Sequence, residues 1–178
     1  MHTTSSDAGN LAQGIVDGLI DEEGVSIILC PPVPYLALVG DILKDTLIAL
    51  GAQNVYPEKE GAFTGEVSPM MLLDLGCKYV ILGHSERRHK LGESDHFISQ
   101  KVLCALAAGL DVILCVGETL EQRKTKQMET VLDRQLSTGL AGIPGEALPI
   151  SALRTSQSGH SATMSTMPLP SRRMMCTC

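Results

Sequence analysis

Tyr79-Val80-Ile81-Leu82-Gly83-His84-Ser85-Glu86-Arg87-Arg88 is a short apolar run that ends on glycine and histidine and passes at once into charge. A brief continuous run of apolar residues is the mark of a parallel strand covered on both faces. The order puts an imidazole at the end of that strand, where a short helix begins. A helix N-terminus disfavours the imidazolium form. A histidine seated there can stay neutral and donate a hydrogen bond to a substrate oxygen.

Two further runs of the same kind lie at residues 25–30 and 112–116, and residues 51–56 read as a fourth, weaker strand. The segments between them carry helical spacing. Residues 7–23 have apolar side chains at Leu11, Ile15, Val16, Leu19 and Ile20, and residues 36–50, 96–108 and the more charged 118–140 also read as helices. Ser68-Pro69 is an N-cap followed by proline at the first helical position. Ser94 or Asp95 can open the helix after Gly92-Glu93. Repeated strand–helix units predict a parallel α/β fold with right-handed crossovers.

The totals narrow the function. The chain has 178 residues, which favours one domain, and at 44% hydrophobic it can bury a core. A net charge of −6 without a basic face argues against nucleic acid as partner. The six cysteines form no CxxC pair and no zinc spacing, and four of them lie inside apolar segments, as expected of buried thiols in a reducing cytosol. Residues 1–10 have neither the basic nor the apolar region of a signal peptide. No apolar run reaches the ~18 residues of a membrane span. The chain reads as cytoplasmic and soluble.

From about residue 25 to 142 the chain resembles triosephosphate isomerases. The resemblance rests on Pro31-Pro32, Gly51-Ala52-Gln53-Asn54, Gly61-Ala62-Phe63-Thr64-Gly65-Glu66-Val67-Ser68-Pro69, residues 79–88, Gly92-Glu93-Ser94-Asp95, Gln100-Lys101-Val102 and Cys115-Val116-Gly117-Glu118. It implies an α/β fold of the (β/α)8 barrel family, here a partial barrel of about strands two to five with flanking helices, and a site at the C-terminal ends of the strands. It also implies the interconversion of dihydroxyacetone phosphate and glyceraldehyde 3-phosphate, with no metal and no organic cofactor. In that family a glutamate base moves the proton, a neutral histidine polarises the carbonyl and a lysine stabilises charge; the family is a standard worked case of such tuning, and the chemistry is taken from it. By position His84 matches the histidine, and Glu86 matches the family's glutamate near the lysine. Thr64 matches the tip of a loop that enters a second subunit, and Glu66 and Arg87 match a pair across that interface, which implies a two-fold homodimer. Read alone, residues 61–66 are only a glycine-bounded turn.

The chain also departs from the family. Met1-His2-Thr3-Thr4 fits the residues that follow the family's Asn-Trp-Lys, so the strand bearing the lysine is expected upstream of the recorded start. After residue 142 the base glutamate is expected in a strand reading I-A-Y-E-P-V-W-A, where this chain has Ser151-Ala152-Leu153-Arg154-Thr155-Ser156-Gln157-Ser158-Gly159-His160. Arg154 to His160 can be coded CGT-ACG-AGC-CAG-TCT-GGG-CAT, which from the third base reads Y-E-P-V-W-A. In that same frame, codons for Thr166 to Arg173 can read N-A-T-P-E-Q-A, another stretch of the family. A frameshift near residues 150–153 is therefore expected. It divides the chain into a partial-barrel domain, residues 1–150, and an irregular, disordered tail, residues 151–178. In that tail Cys176-Thr177-Cys178 and Arg172-Arg173 need no role. With neither the lysine nor the base glutamate present, no turnover is expected of this chain. Two other readings compete. One is a non-catalytic half-barrel that binds a partner through residues 61–66 and its open strand edges. The other is an unrelated phosphosugar barrel enzyme using a different lysine or glutamate.

Overall fold

Strands buried on both faces need apolar side chains at successive positions, and four segments meet that demand. The computed structural model describes residues 3–18, 25–143, 150–154, 163–164 and 173–177. Strands β1 (Val25–Leu29), β2 (Ala49–Ala52), β3 (Tyr79–Leu82) and β4 (Asp111–Val116) are consecutive parallel neighbours. Helices α1 (Ser5–Gly18), α2 (Leu36–Leu43), α3 (Pro69–Asp74), α4 (Ser85–His89), α5 (Asp95–Ala108), α6 (Leu120–Lys124) and α7 (Met128–Gly139) flank them. This is a curled half-barrel of four parallel strands, the partial (β/α)8 architecture expected from the sequence.

Alternation along the strands creates two cores. The larger lies between sheet and helices: Leu50, Ala52, Val80, Leu82, Val112 and Leu114 meet Leu36, Val39, Leu72, Ile98, Val102 and Ala105. Each fully buried aliphatic side chain there contributes about 1.5–3 kcal/mol. The smaller core lies on the opposite, concave face and consists of Ile28, Cys30, Ile81, Ile113 and Cys115. Gly51 belongs to this face. A Cβ there would stand 2.6 Å from Cys30 Sγ and 3.1 Å from Ile28 Cγ2, so the neighbours already fill the space a side chain would need.

The strand read at 51–56 begins two residues earlier, and the helix read over 36–50 ends at Leu43. Lys44 turns to an extended backbone and Asp45 adopts φ 61°, which releases the apolar residues Ile48, Ala49 and Leu50 to the sheet. The long helix read over 118–140 is two helices, broken where Lys126 adopts φ 56°. The expected caps hold. Ser68 Oγ accepts from Met71 N at 3.3 Å, and Ser94 Oγ from Phe97 N at 3.1 Å. Residues 19–23 of the first expected helix lie outside the described residues.

The tail differs from an irregular segment in three places. β5 (Ile150–Arg154) pairs parallel with β4, β6 (Thr163–Met164) pairs antiparallel with β5, and β7 (Arg173–Thr177) pairs parallel with β1. The sheet order is β6-β5-β4-β3-β2-β1-β7. An open strand edge offers main-chain donors and acceptors to any extended segment, whatever its side-chain pattern. Pairing of this kind is invisible to a search for periodicity. The remaining positions of the tail lie outside the described residues.

Candidate functional site

The site forms where β3 ends. Gly83 leaves the strand with φ 71°, a left-handed backbone that favours glycine. His84 follows as the N-cap of α4, and its Nδ1 accepts a long hydrogen bond, 3.4 Å, from the backbone N–H of Glu86. A nitrogen that accepts carries no proton, so the ring's proton resides on Nε2. The Glu86 carboxylate lies 3.8 Å from the same Nδ1, a contact that becomes an ion pair only if the ring is charged. The two contacts compete for one nitrogen, and the carboxylate is 65% exposed and solvated. Glu86 also reaches Lys90 Nζ at 3.5 Å. The imidazole is 35% exposed, open enough to meet a ligand.

Near His84 stands a set of paired charges, of which Arg88, Glu93 and Lys101 are buried. Arg88 Nε donates to Gly83 O at 2.6 Å and Nη2 to Cys115 O at 3.1 Å, and Nη1 pairs with Asp95. Arg134 Nε reaches the other Asp95 oxygen at 3.0 Å. Arg87 Nε donates to Glu93 Oε1 at 2.7 Å, and Lys101 Nζ pairs with the same oxygen and with Asn54 Oδ1 at 2.8 Å. Lys101 is only 1% exposed. Burial pulls its pKa below the usual lysine value, against the opposing pull of Glu93. Farther along, Glu118 is buried against Arg123, and Gln135 bridges the N–H and C=O of Gly117.

Thr64 and Glu66 are exposed on the loop between β2 and α3. The loop's neck is closed by Tyr56 N to Val67 O at 2.9 Å, and Phe63 packs tilted against Tyr56 with ring centroids 4.6 Å apart. A concavity of about 480 Å³ lies under it, lined by Tyr56, Phe63, Glu66 and Met71 among others. Another, of about 450 Å³, lies at the opposite, N-terminal end of β2 and β3 and is lined by none of His84, Glu86, Arg87, Thr64 and Glu66. Arg87, expected to face Glu66 across an interface, binds Glu93 within its own chain. His84 and Glu86 thus stand together, Arg87 turns to the Glu93–Lys101 pair, and Thr64 and Glu66 lie exposed on the loop, with the Glu66 charge still felt at Lys101.

Arg88, Asp95 and the pair Glu93–Lys101 were not singled out as site residues by sequence. A signal for one existed. Lys101 shares a helical face with Ile98, Val102 and Ala105, and a lysine in a buried stripe requires a buried partner. Among the described residues no group of three or more His, Cys, Asp or Glu side chains could hold a metal ion. No helix among them is long and apolar enough to cross a membrane.

The family model of triosephosphate isomerase matches residues 1–153. The triosephosphate isomerase of Carboxydothermus hydrogenoformans is 51% identical over 146 residues, covering 82% of this chain and 58% of the relative. That of Chloroflexus aurantiacus is 46% identical, covering 83% and 59%. That of Roseiflexus castenholzii is 43% identical over 183 aligned positions, covering 98% and 72%. The chain therefore spans a little under three-fifths of the length of the first two.

Proposed function

Because the chain belongs to the triosephosphate isomerase family, we propose that it serves the interconversion of dihydroxyacetone phosphate and D-glyceraldehyde 3-phosphate, through an enediolate. His84 donates its Nε2 proton as a hydrogen bond to the substrate carbonyl oxygen. That polarises the carbonyl and acidifies the neighbouring C–H; a base takes this proton and returns it to the former carbonyl carbon, while the hydroxyl proton of the enediolate passes from one oxygen to the other, so that carbonyl and hydroxyl exchange places. The observation that carries this reading is the Glu86 N–H on Nδ1, which leaves Nε2 as the donor. Glu86 stands beside the ring, and its exposed carboxylate, shared with Lys90 at 3.5 Å, can receive a further cationic side chain. The reaction uses no metal and no organic cofactor, and its setting is the cytoplasm.

The family's base glutamate and lysine match no position among the 178 residues, so these residues alone supply the electrophile without its partners. A change of reading frame near residue 150 accounts for the missing glutamate. The end of the family match at residue 153 supports it, and the nucleotide sequence tests it. The partner is a second copy of the chain, engaged through residues 61–66, with Glu66 facing the partner's Arg87. The exposure of Thr64, Glu66 and Phe63 supports this. The same exposed loop favours, as a second reading, a half-barrel that binds without chemistry.

A chimera separates the two readings. Residues 3–143 replace the matching stretch of the Carboxydothermus hydrogenoformans triosephosphate isomerase, which returns a lysine strand and a base glutamate to the barrel. The chimera is expected to interconvert the two triose phosphates, while the 178-residue polypeptide does not. A folded chimera without turnover defeats the catalytic reading.

A further inference from the structure

We propose that Arg88 is the positioning residue for His84, its guanidinium fixing the direction of the imidazole by holding the preceding peptide while the helix's own main-chain bond holds the next. The role rests on the reading of His84 as the donor to the carbonyl. Arg88 Nε donates to the carbonyl of Gly83, which is the carbonyl of the Gly83–His84 peptide. The backbone N–H of Arg88 donates to the carbonyl of His84 at 3.1 Å, which belongs to the next peptide. With both peptide planes held, φ and ψ of His84 are set, so its Cα–Cβ bond leaves the backbone in one direction and the backbone-dependent rotamer preference narrows χ1.

The guanidinium is itself anchored. Its planar fork offers donors in fixed directions. Nη2 meets the Cys115 carbonyl at the end of β4, and Nη1 meets Asp95 at the start of α5. Asp95 is held in turn by Arg134 of α7. One side chain, 6% exposed, therefore ties His84 to the ends of two strands and to two helices. The fit is close: a Cβ on Gly83 would stand 2.7 Å from Arg88 Nη2 and 2.9 Å from Cys115 O. Lysine cannot replace this arrangement, because an ammonium lacks the planar fork that spans three acceptors. Arg88 has no contact with the reacting atoms in this role; it acts through His84.

The test is nuclear magnetic resonance on the full 178-residue chain labelled with ¹³C and ¹⁵N. Three-bond couplings across the His84 side chain report whether χ1 holds one rotamer or averages over several. The native chain is expected to show a single rotamer. In Arg88→Gln and Arg88→Lys the couplings are expected to collapse to averaged values while the amide signals of β3 and β4 stay dispersed. Arg134→Gln, which loosens Asp95 without touching Gly83, is expected to leave the rotamer single. A single rotamer surviving in either Arg88 variant overturns the proposal. So does equal averaging in Arg134→Gln, or averaging in the native chain. Should Arg88→Gln lose the dispersed signals, Arg88→Lys decides by the same criterion; loss in both also overturns it, since Arg88 then holds the fold and not the ring. None of these readings needs turnover. A pinned imidazole with an inactive chimera defeats the isomerase reading alone, and an active chimera with a freely rotating His84 in Arg88→Lys defeats only the role of Arg88.

Discussion

The segments that follow β2 and β3 leave the sheet at the same end, yet they are held in opposite ways. After β3, residues 83–95 are bound into the molecule by the Arg88 fork, by Arg87 on Glu93 and by Lys101 beneath them. After β2, Gln53 and Asn54 are tied to Cys30 O and Lys101, but from Glu58 to Glu66 every side chain is exposed. The first arrangement suits a ring that must point one way before a ligand arrives, because geometry fixed in advance costs nothing at the moment of reaction. The second suits a surface that is completed by something outside the chain. The difference shows that burial of charge, more than strand or helix content, separates the segment after β3 from the loop after β2.

Substitutions can break that contrast. Lys101→Met removes one member of a buried ion cluster and leaves Glu93 with Arg87 alone; it is expected to cost about 3–5 kcal/mol, read from urea unfolding. Gly83→Ala forces a left-handed backbone on alanine and drives its Cβ against the Arg88 fork, with an expected loss of about 2–3 kcal/mol by the same measurement. Ser94→Ala removes the cap of α5, next to Asp95, and is expected to cost about 1 kcal/mol in thermal unfolding. Thr64→Ala and Glu66→Gln sit on the exposed loop and are expected to change the stability of the single chain by less than about 0.5 kcal/mol. Their effect belongs instead to self-association, followed by sedimentation at increasing protein concentration. A loop variant as destabilising as Lys101→Met would erase the contrast.

The sequence makes the strands legible because each is a short apolar run, and β3 falls on the residues expected of it. It hides the break after Leu43, since Ile48, Ala49 and Leu50 satisfy a helical stripe as readily as a strand until Asp45 turns the chain. It hides β7 entirely, because main-chain pairing along an open edge leaves no side-chain signature. The seat of His84, the N-cap of a helix after β3, was legible from its place after an apolar run and before a charged turn. Arg88 was not, since its three acceptors are two backbone carbonyls and a carboxylate from separate segments, and nothing in a linear reading brings those together.

His84→Asn in the chimera bears most directly on the role given to the imidazole. Asparagine keeps a donor of similar size but cannot reproduce the Nδ1 acceptor and Nε2 donor of one ring. Steady-state kinetics are expected to show kcat reduced by about 10²–10⁴-fold, the range typical of a positioned acid–base group, with KM little changed. An unchanged kcat would contradict the assignment of His84 as the group that polarises the carbonyl.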